Sequence, residues 1–477
     1  MAGVGFELRK LFKENSGYVD TMKAYATSAV VTEGPMVLSI VMLTGQRLLM
    51  RYNESTYNHM EIFVLIMTYS MIFSMLTANV LNMFLSRFIS DCIFEEKYEE
   101  IMSAFFDAVI ILLALGGIIG YLYLTSIDLP LQYKVLAMIQ FSTLIVLWVE
   151  MCFLSALRKY LEILKGFAIA VLLSFVVAIV LCLLGVEALF ASLAGTCIAY
   201  FFMLCMFLKE MIKYYPFKKI SFGIFLKELD KYPSLCIIGF FMTLGLYGHN
   251  FVMWASEFKT VVIKNMVYCV TYDVPCFFAV LTIIPMLVLF TVSLEVNFYE
   301  KYKGYFSTIL YGGRLEDIRA ARKNMIKMLL RELSYILEVQ LFIAIIAVVF
   351  LSNVLKLVGM DANMIGIFQI LCFGYCFFGL MRCIIIILLY FDDRVGATIT
   401  SILFALLSIV GTFITMKLSV EFYGIGFVVA AIIASIYAII RLFVFVRNLE
   451  FNVFCKQPLF FAQKRGIFTK LAEKIGN

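Results

Sequence analysis

The sequence predicts an all-α polytopic membrane protein of about twelve transmembrane helices in two six-helix halves, and three observations predict it. The first is composition: 63% of residues are hydrophobic and 15% charged, with a mean hydropathy of +0.98, whereas soluble domains carry about 25% charged residues. The second is spacing. Apolar residues come in blocks of about 20 between short polar breaks, enough for a helix to cross roughly 30 Å of hydrocarbon. The third is charge: with twelve spans, 30 of the 37 Lys and Arg in loops and tails fall on one face, the bias expected of cytoplasmic loops. Helices must be the spanning element, because lipid tolerates no unpaired backbone groups and the alternation of a β-barrel is absent.

The elements follow in order. Residues 1–24 lack an uninterrupted apolar region and an Ala-x-Ala site, so no cleavable signal peptide is expected. They read instead as a cytoplasmic segment lying in the interface, with Phe6, Leu8, Leu11 and Phe12 toward lipid and Glu7, Arg9, Lys10 and Lys13 toward water. The first half, 25–208, holds spans at Tyr25–Leu49, Glu61–Leu85, Ser103–Thr125, Leu131–Ala156, Ile163–Gly185 and Val186–Leu208. Only Gly185, Val186 and Glu187 divide the last two. Residues 209–232 form a basic cytoplasmic linker. The second half, 233–447, holds spans at Pro233–Ser256, Thr271–Glu295, Leu333–Val354, Met364–Phe391, Val395–Lys417 and Tyr423–Val446, and a basic cytoplasmic tail occupies 448–477. Two six-span halves suggest parallel repeats, although no repeated sequence links them.

Chemistry has little room in such a chain. The longest water-facing stretch, Val296–Glu332, contains a basic helix that leads into the ninth span and is too short for a catalytic domain. No nucleotide-binding glycine motif or HExxH is present, so an enzyme is not expected, nor is a cofactor or metal. The twelve cysteines lie mostly within spans; Cys372, Cys376 and Cys383 come closest to a cluster but lack His or carboxylate partners at ligand spacing. The net charge of +6 reflects contact with anionic inner-leaflet lipid. No basic-aromatic surface for nucleic acid accompanies it.

A conduit would be marked by residues that are costly in lipid. Glu33 in VVTEGPMVLSI adjoins Gly34 and Pro35, where charge and helix break coincide, and is the leading pathway candidate. Glu150, late in the fourth span beside Trp148, reads as a residue reaching the cytoplasmic edge or as a cavity group. Arg382, deep in the tenth span, reads as a pathway residue or as the structural partner of one of these carboxylates. Pro275 and Pro285 in the eighth span suggest a hinge or a static kink. His249 and Asn250, near the outer end of the seventh span, read as packed residues before a proton relay.

The opening MAGVGFELRKLF, followed by KAYATSAVVTEGPMVLSI, resembles the start of the PelG family, the inner-membrane transporter subunits of the Pel exopolysaccharide system. Family members tend to carry Ser before Gly-Pro, where this chain has Glu33. The resemblance implies a polysaccharide transporter of the superfamily that includes multidrug exporters and lipid-linked oligosaccharide flippases, placed in the bacterial inner membrane with both termini cytoplasmic. It implies a galactosamine-rich biofilm polymer as substrate. The implied partners are a cytoplasmic glycosyltransferase, a cyclic-di-GMP-binding membrane protein and a membrane scaffold protein. Gly5, Phe6, Glu7, Leu8, Arg9 and Lys10 then read either as a membrane anchor or as a docking point for a partner. Two other functions remain open: a flippase or cation-coupled exporter of a small amphiphile or lipid-linked sugar, and a non-transporting scaffold of a polysaccharide synthase.

Overall fold

A computed structural model describes residues 18–157, 159–215, 223–455, 466 and 468–470. Its helices are α1 (Tyr18–Tyr52), α2 (Tyr57–Phe94), α3 (Tyr98–Ser126), α4 (Leu131–Ala156), α5 (Tyr160–Leu183), α6 (Ala188–Tyr214), the short α7 (Ile224–Leu229) and α8 (Pro233–Met253). A hairpin of β1 (Thr260–Ile263) and β2 (Met266–Tyr268) follows. Then come α9 (Val270–Leu281), α10 (Ile284–Val292), a π-helical stretch (Ser293–Phe298), α11 (Tyr299–Leu310) and α12 (Leu315–Ile346). A second π-helical stretch (Ala347–Leu351) leads into α13 (Ser352–Leu357), followed by α14 (Ala362–Tyr390), α15 (Arg394–Met416), α16 (Ile425–Arg447) and α17 (Leu449–Phe454).

Eleven helical stretches among the described residues are long and apolar enough to cross a membrane, with Val270–Val292, Leu315–Leu357 and Val420–Arg447 each counted once. The 35-residue α1 covers the remaining expected span. The chain is a multi-pass membrane protein, largely helical as its hydropathy predicts. Helix ends differ from the expected span ends where helices outrun the apolar blocks. In α2 the helix continues from Leu85 to Phe94 because Arg87 and Asp91, one turn apart, pair at 3.1 Å and support polar turns beyond the apolar block. The fifth and sixth spans are separate helices; Gly185, at φ +80°, takes the left-handed conformation that turns the chain between them.

The same helix pairings occur in both halves. Within the first, α2 packs on α4, α4 on α6 and α5 on α6; within the second, α9 packs on α14, α14 on α16 and α15 on α16. These are matching positions in a six-span repeat, which the sequence suggested through hydropathy alone. The last pair of each half is held close by missing side chains. A Cβ on Gly195 would lie 2.7 Å from the Ser174 carbonyl of α5, and one on Gly411 would lie 3.0 Å from the Gly426 carbonyl of α16.

By contacts the chain divides into two compact units, one formed by Gly34–Tyr247, Lys259–Tyr268 and Phe460–Asn477, the other by Met1–Glu33, Gly248–Phe258 and Cys269–Leu459. Two helices therefore change unit along their length: α1 after Glu33 and α8 after Tyr247. In the first unit, the hairpin was not anticipated. Its strands pair Thr260 with Tyr268 and Val261 with Val267, with an irregularity before Ile263. It is tied down by Tyr69 of α2, whose hydroxyl bonds the Val267 backbone, and by Tyr123, whose hydroxyl donates to the Asn265 carbonyl at 3.1 Å. The same unit anchors the tail. Asp230 accepts from the Thr469 backbone N–H at 2.7 Å and from its hydroxyl at 2.6 Å. Desolvation opposes ionisation there, but these bonds and others from Phe468 and Gly466 prevail and hold the carboxyl below its usual range.

Candidate functional site

The polar residues of the second unit are the natural place to look for a path, because each must be compensated or wetted within the bilayer. Glu33 on α1 and Arg382 on α14 are both half-buried, and Arg382 lies within electrostatic reach of Glu33. Arg382 makes no ion pair among the described residues. No ion pair closes between them, so among the described residues Arg382 does not form the structural salt bridge that was one of its two readings. Pro35 sits inside the continuous α1, where its carbonyl accepts from the Ser39 hydroxyl at 2.9 Å. Gly34, which begins the stretch of α1 assigned to the other unit, packs on Leu164 so tightly that a Cβ would overlap that side chain.

The eighth span is broken, and only one of its prolines marks the break. Pro275 lies within α9, while Pro285 opens α10 immediately after the interruption at Thr282 and Ile283. A proline in a first turn loses nothing, because the N–H it lacks would have had no helical partner. The carbonyl exposed at the break is captured: Gln340 of α12, fully buried, donates its Nε2 to the Thr282 oxygen at 2.9 Å. Gln340 was missed from sequence, where one amide in a long amphipathic run carries no signal. Replacing it with Leu strands a buried carbonyl, at a cost of about 1–3 kcal/mol. Gln340→Leu is therefore expected to lower the thermal unfolding midpoint in detergent, and a midpoint unchanged from wild type would show that the break needs no external donor.

His249 and Asn250 are buried and packed, as expected. His249 Nδ1 lies 2.8 Å from the Tyr272 hydroxyl, and its ring stands 4.3 Å from that of Phe427. Asn250 donates to Asp273 at 2.8 Å, and Asp273 also accepts from Trp254 Nε1 at 2.9 Å and from the Cys269 N–H at 2.8 Å. Asp273 thus accepts three hydrogen bonds, from Asn250, Trp254 and the N-cap residue Cys269, and anchors the start of α9. Nothing in the sequence singles it out, because an acid at a span end looks interfacial. Cys372, Cys376 and Cys383 are buried free thiols on α14.

Two further charges correct or extend the sequence reading. Glu150 does not reach the surface of the protein. It is fully buried within the first unit, and neither carboxyl oxygen has a hydrogen-bond partner among the described residues. Packing explains this, since α4 lies against both α2 and α6. Arg441 is paired: Nε and Nη2 bond the two oxygens of Asp393 at 2.6 and 2.8 Å, and Asp393 caps α15 through the Gly396 N–H at 3.1 Å. Gly5, Phe6, Glu7, Leu8, Arg9 and Lys10 lie outside the described residues.

This architecture can be compared with known proteins. The family model PelG, described as "Putative exopolysaccharide Exporter (EPS-E)", matches residues 1–454. The chain belongs to the PelG family. No curated protein matches it, but solved structures do. An outward-facing multidrug resistance MATE family transporter of the MOP superfamily is 15% identical with a TM-score of 0.60, over 94% of this chain and 98% of that one. A MOP superfamily transporter from Pyrococcus furiosus Vc1 (DSM3638), described as having a binding pocket of reverse polarity that suggests a different function, is 16% identical with a TM-score of 0.56, over 89% and 97%. A MATE protein in the straight conformation is 15% identical with a TM-score of 0.54, over 89% and 96%. At these identities the similarity establishes the fold, which is that of a membrane transporter. This PelG-family chain is a membrane exporter by family, and its fold is similar to that of MATE transporters.

Proposed function

We infer that the chain exports a Pel-like, galactosamine-rich polysaccharide outward across the cytoplasmic membrane from a cytoplasmic polymerase. The observation that carries this reading is the family match along nearly the whole chain, joined to a pair of intramembrane charges, Glu33 and Arg382, that do not neutralise each other by contact. A hydrated polymer needs a wet route, and a carboxylate in a low-dielectric passage attracts sugar amino groups strongly. The glycosyltransferase, the cyclic-di-GMP-binding protein and the membrane scaffold of the same system are the proposed partners, with residues 5–12 as their docking point or as a membrane anchor.

Glu33→Gln is expected to leave abundance and glycosyltransferase association unchanged while slowing secretion by about three- to tenfold, since a charge contact of this kind is worth about 1 kcal/mol. Pro285→Ala should slow it further by letting α9 and α10 join into a stiffer helix. Secretion at the wild-type rate in the double variant, scored by immunoblot of polymer outside the cell, would favour a scaffold role. Both termini and the linker are proposed to be cytoplasmic. Reporters fused after Asn477 and within residues 209–232 should both read cytoplasm, and an outside signal at either would overturn the topology.

A further inference from the structure

The second unit contains a cleft of about 390 Å³ whose walls are α12 and α16 and whose floor is α14, on which both pack. Leu330 and Leu337 line it from α12, Leu380 and Ile384 from below, and Ile439 from α16; apart from Ser334 and two arginines the lining is wholly apolar. The arginines, Arg322 and Arg447, stand together at one end: Arg322 donates to the Arg447 carbonyl at 3.4 Å and pairs with Glu450 at 3.2 Å. From Arg322 to Leu337 the α12 wall runs about 22 Å, more than the roughly 15 Å hydrocarbon depth of one leaflet. Leu330 is 40% exposed and Ile439 43%, so the cleft opens sideways onto the lipid-facing surface.

We propose that this cleft is a binding site for one anionic phospholipid of the cytoplasmic leaflet, with an acyl chain along α14 between α12 and α16 and the phosphate at Arg322 and Arg447. An apolar gap of this size facing hydrocarbon loses its packing unless something chain-like fills it. The charges fit the same occupant. Arg447 is exposed, Lys323 is exposed beside Arg322, and Glu450 offsets only part of this positive group. A guanidinium end on an apolar trough matches an anionic headgroup on its chain, and the cytoplasmic leaflet, on which this end is proposed to lie, is the anionic one. Because α12 also supplies Gln340 to the break in the eighth span, the lipid would brace the helix that holds that break open. The site concerns lipid, so it stands whatever cargo is exported.

The test uses the full chain reconstituted in phosphatidylethanolamine vesicles with a trace of phosphatidylglycerol carrying a diazirine on its acyl chain, and in parallel with the phosphatidylcholine analogue. Cross-links should concentrate on the peptides containing Leu330 and Ile439, with phosphatidylglycerol labelling them about fivefold more than phosphatidylcholine, a ratio worth about 1 kcal/mol. Leu330→Trp and Ile439→Trp fill the cleft from opposite walls, so loss of one variant to misfolding leaves the other. Either should reduce cleft labelling severalfold while leaving labelling at Leu172 and Val176, exposed positions on α5, unchanged. Arg322→Gln combined with Arg447→Gln should remove the headgroup preference. Labelling no stronger than at Leu172 and Val176, or equal for the two headgroups in the unaltered protein, would mean ordinary surrounding lipid and overturn the proposal. A co-purified protein segment cross-linked in the cleft would overturn it equally.

Discussion

Arg441→Leu is expected to lower stability by about 3–5 kcal/mol, more than Gln340→Leu does. The reason is the state it leaves behind. Asp393 has a side chain only 3% exposed, and its two oxygens are held by the Arg441 guanidinium; without that fork one oxygen keeps the Gly396 N–H and the other has none of its charge-assisted bonds. A loss of that size is a large part of a typical 5–15 kcal/mol stability. Folded protein recovered in detergent should fall steeply, and Arg441→Lys should recover only part of it, because an ammonium cannot form the planar pair of bonds. In the double variant with Asp393→Asn the loss should be much less than the sum, since no buried charge remains. Full additivity would show that the two residues act independently.

Arg382→Leu should give the opposite profile. Arg382 carries the same charge on a neighbouring helix, but it is half-buried and has no ion pair among the described residues. Its removal strands no ion-pair partner among the described residues, so abundance and unfolding midpoint should stay near wild type. Secretion should fall about tenfold or more, equivalent to at least about 1.4 kcal/mol on the limiting step. Low abundance with proportionate secretion would return Arg382 to a structural role.

Both arginines look alike in sequence, each a single cation in an apolar run, and the difference between them lies in what stands opposite in space. Hydropathy reads where lipid begins and ends, which is why α4 was legible to the residue as Leu131–Ala156. It cannot see that α2 continues nine residues past its apolar block, because helix continuation there depends on local pairing of Arg87 with Asp91. The hairpin had a faint signal in Val261, Val262 and Ile263 followed by Lys264 and Asn265. A four-residue strand is too short for alternation to register, and Asn265 at φ +66° reveals its turn only in three dimensions. The break at Pro285 was legible because helix breaking is a property of a single residue. Gln340, Asp273 and the Glu150 environment depend on long-range partners or their absence, and no spacing rule encodes those.

The change of unit within α1 bears on how the protein is made. The part of α1 up to Glu33 falls in the unit built mainly from Cys269–Leu459, so it is inserted long before most of that unit exists. At about 5–20 residues per second, translation from Glu33 to Arg382 takes on the order of tens of seconds. Throughout that interval Glu33 sits in a nascent membrane helix without the cation that later shares its surroundings. The remainder of α1 packs within the earlier unit, where Gln46 donates to Ser174 at 3.4 Å, and can hold the helix in place while it waits. The first helix is thus an early-inserted hostage of the last-made bundle, and its acidic residue makes the order of biogenesis a point of vulnerability that the finished protein no longer displays.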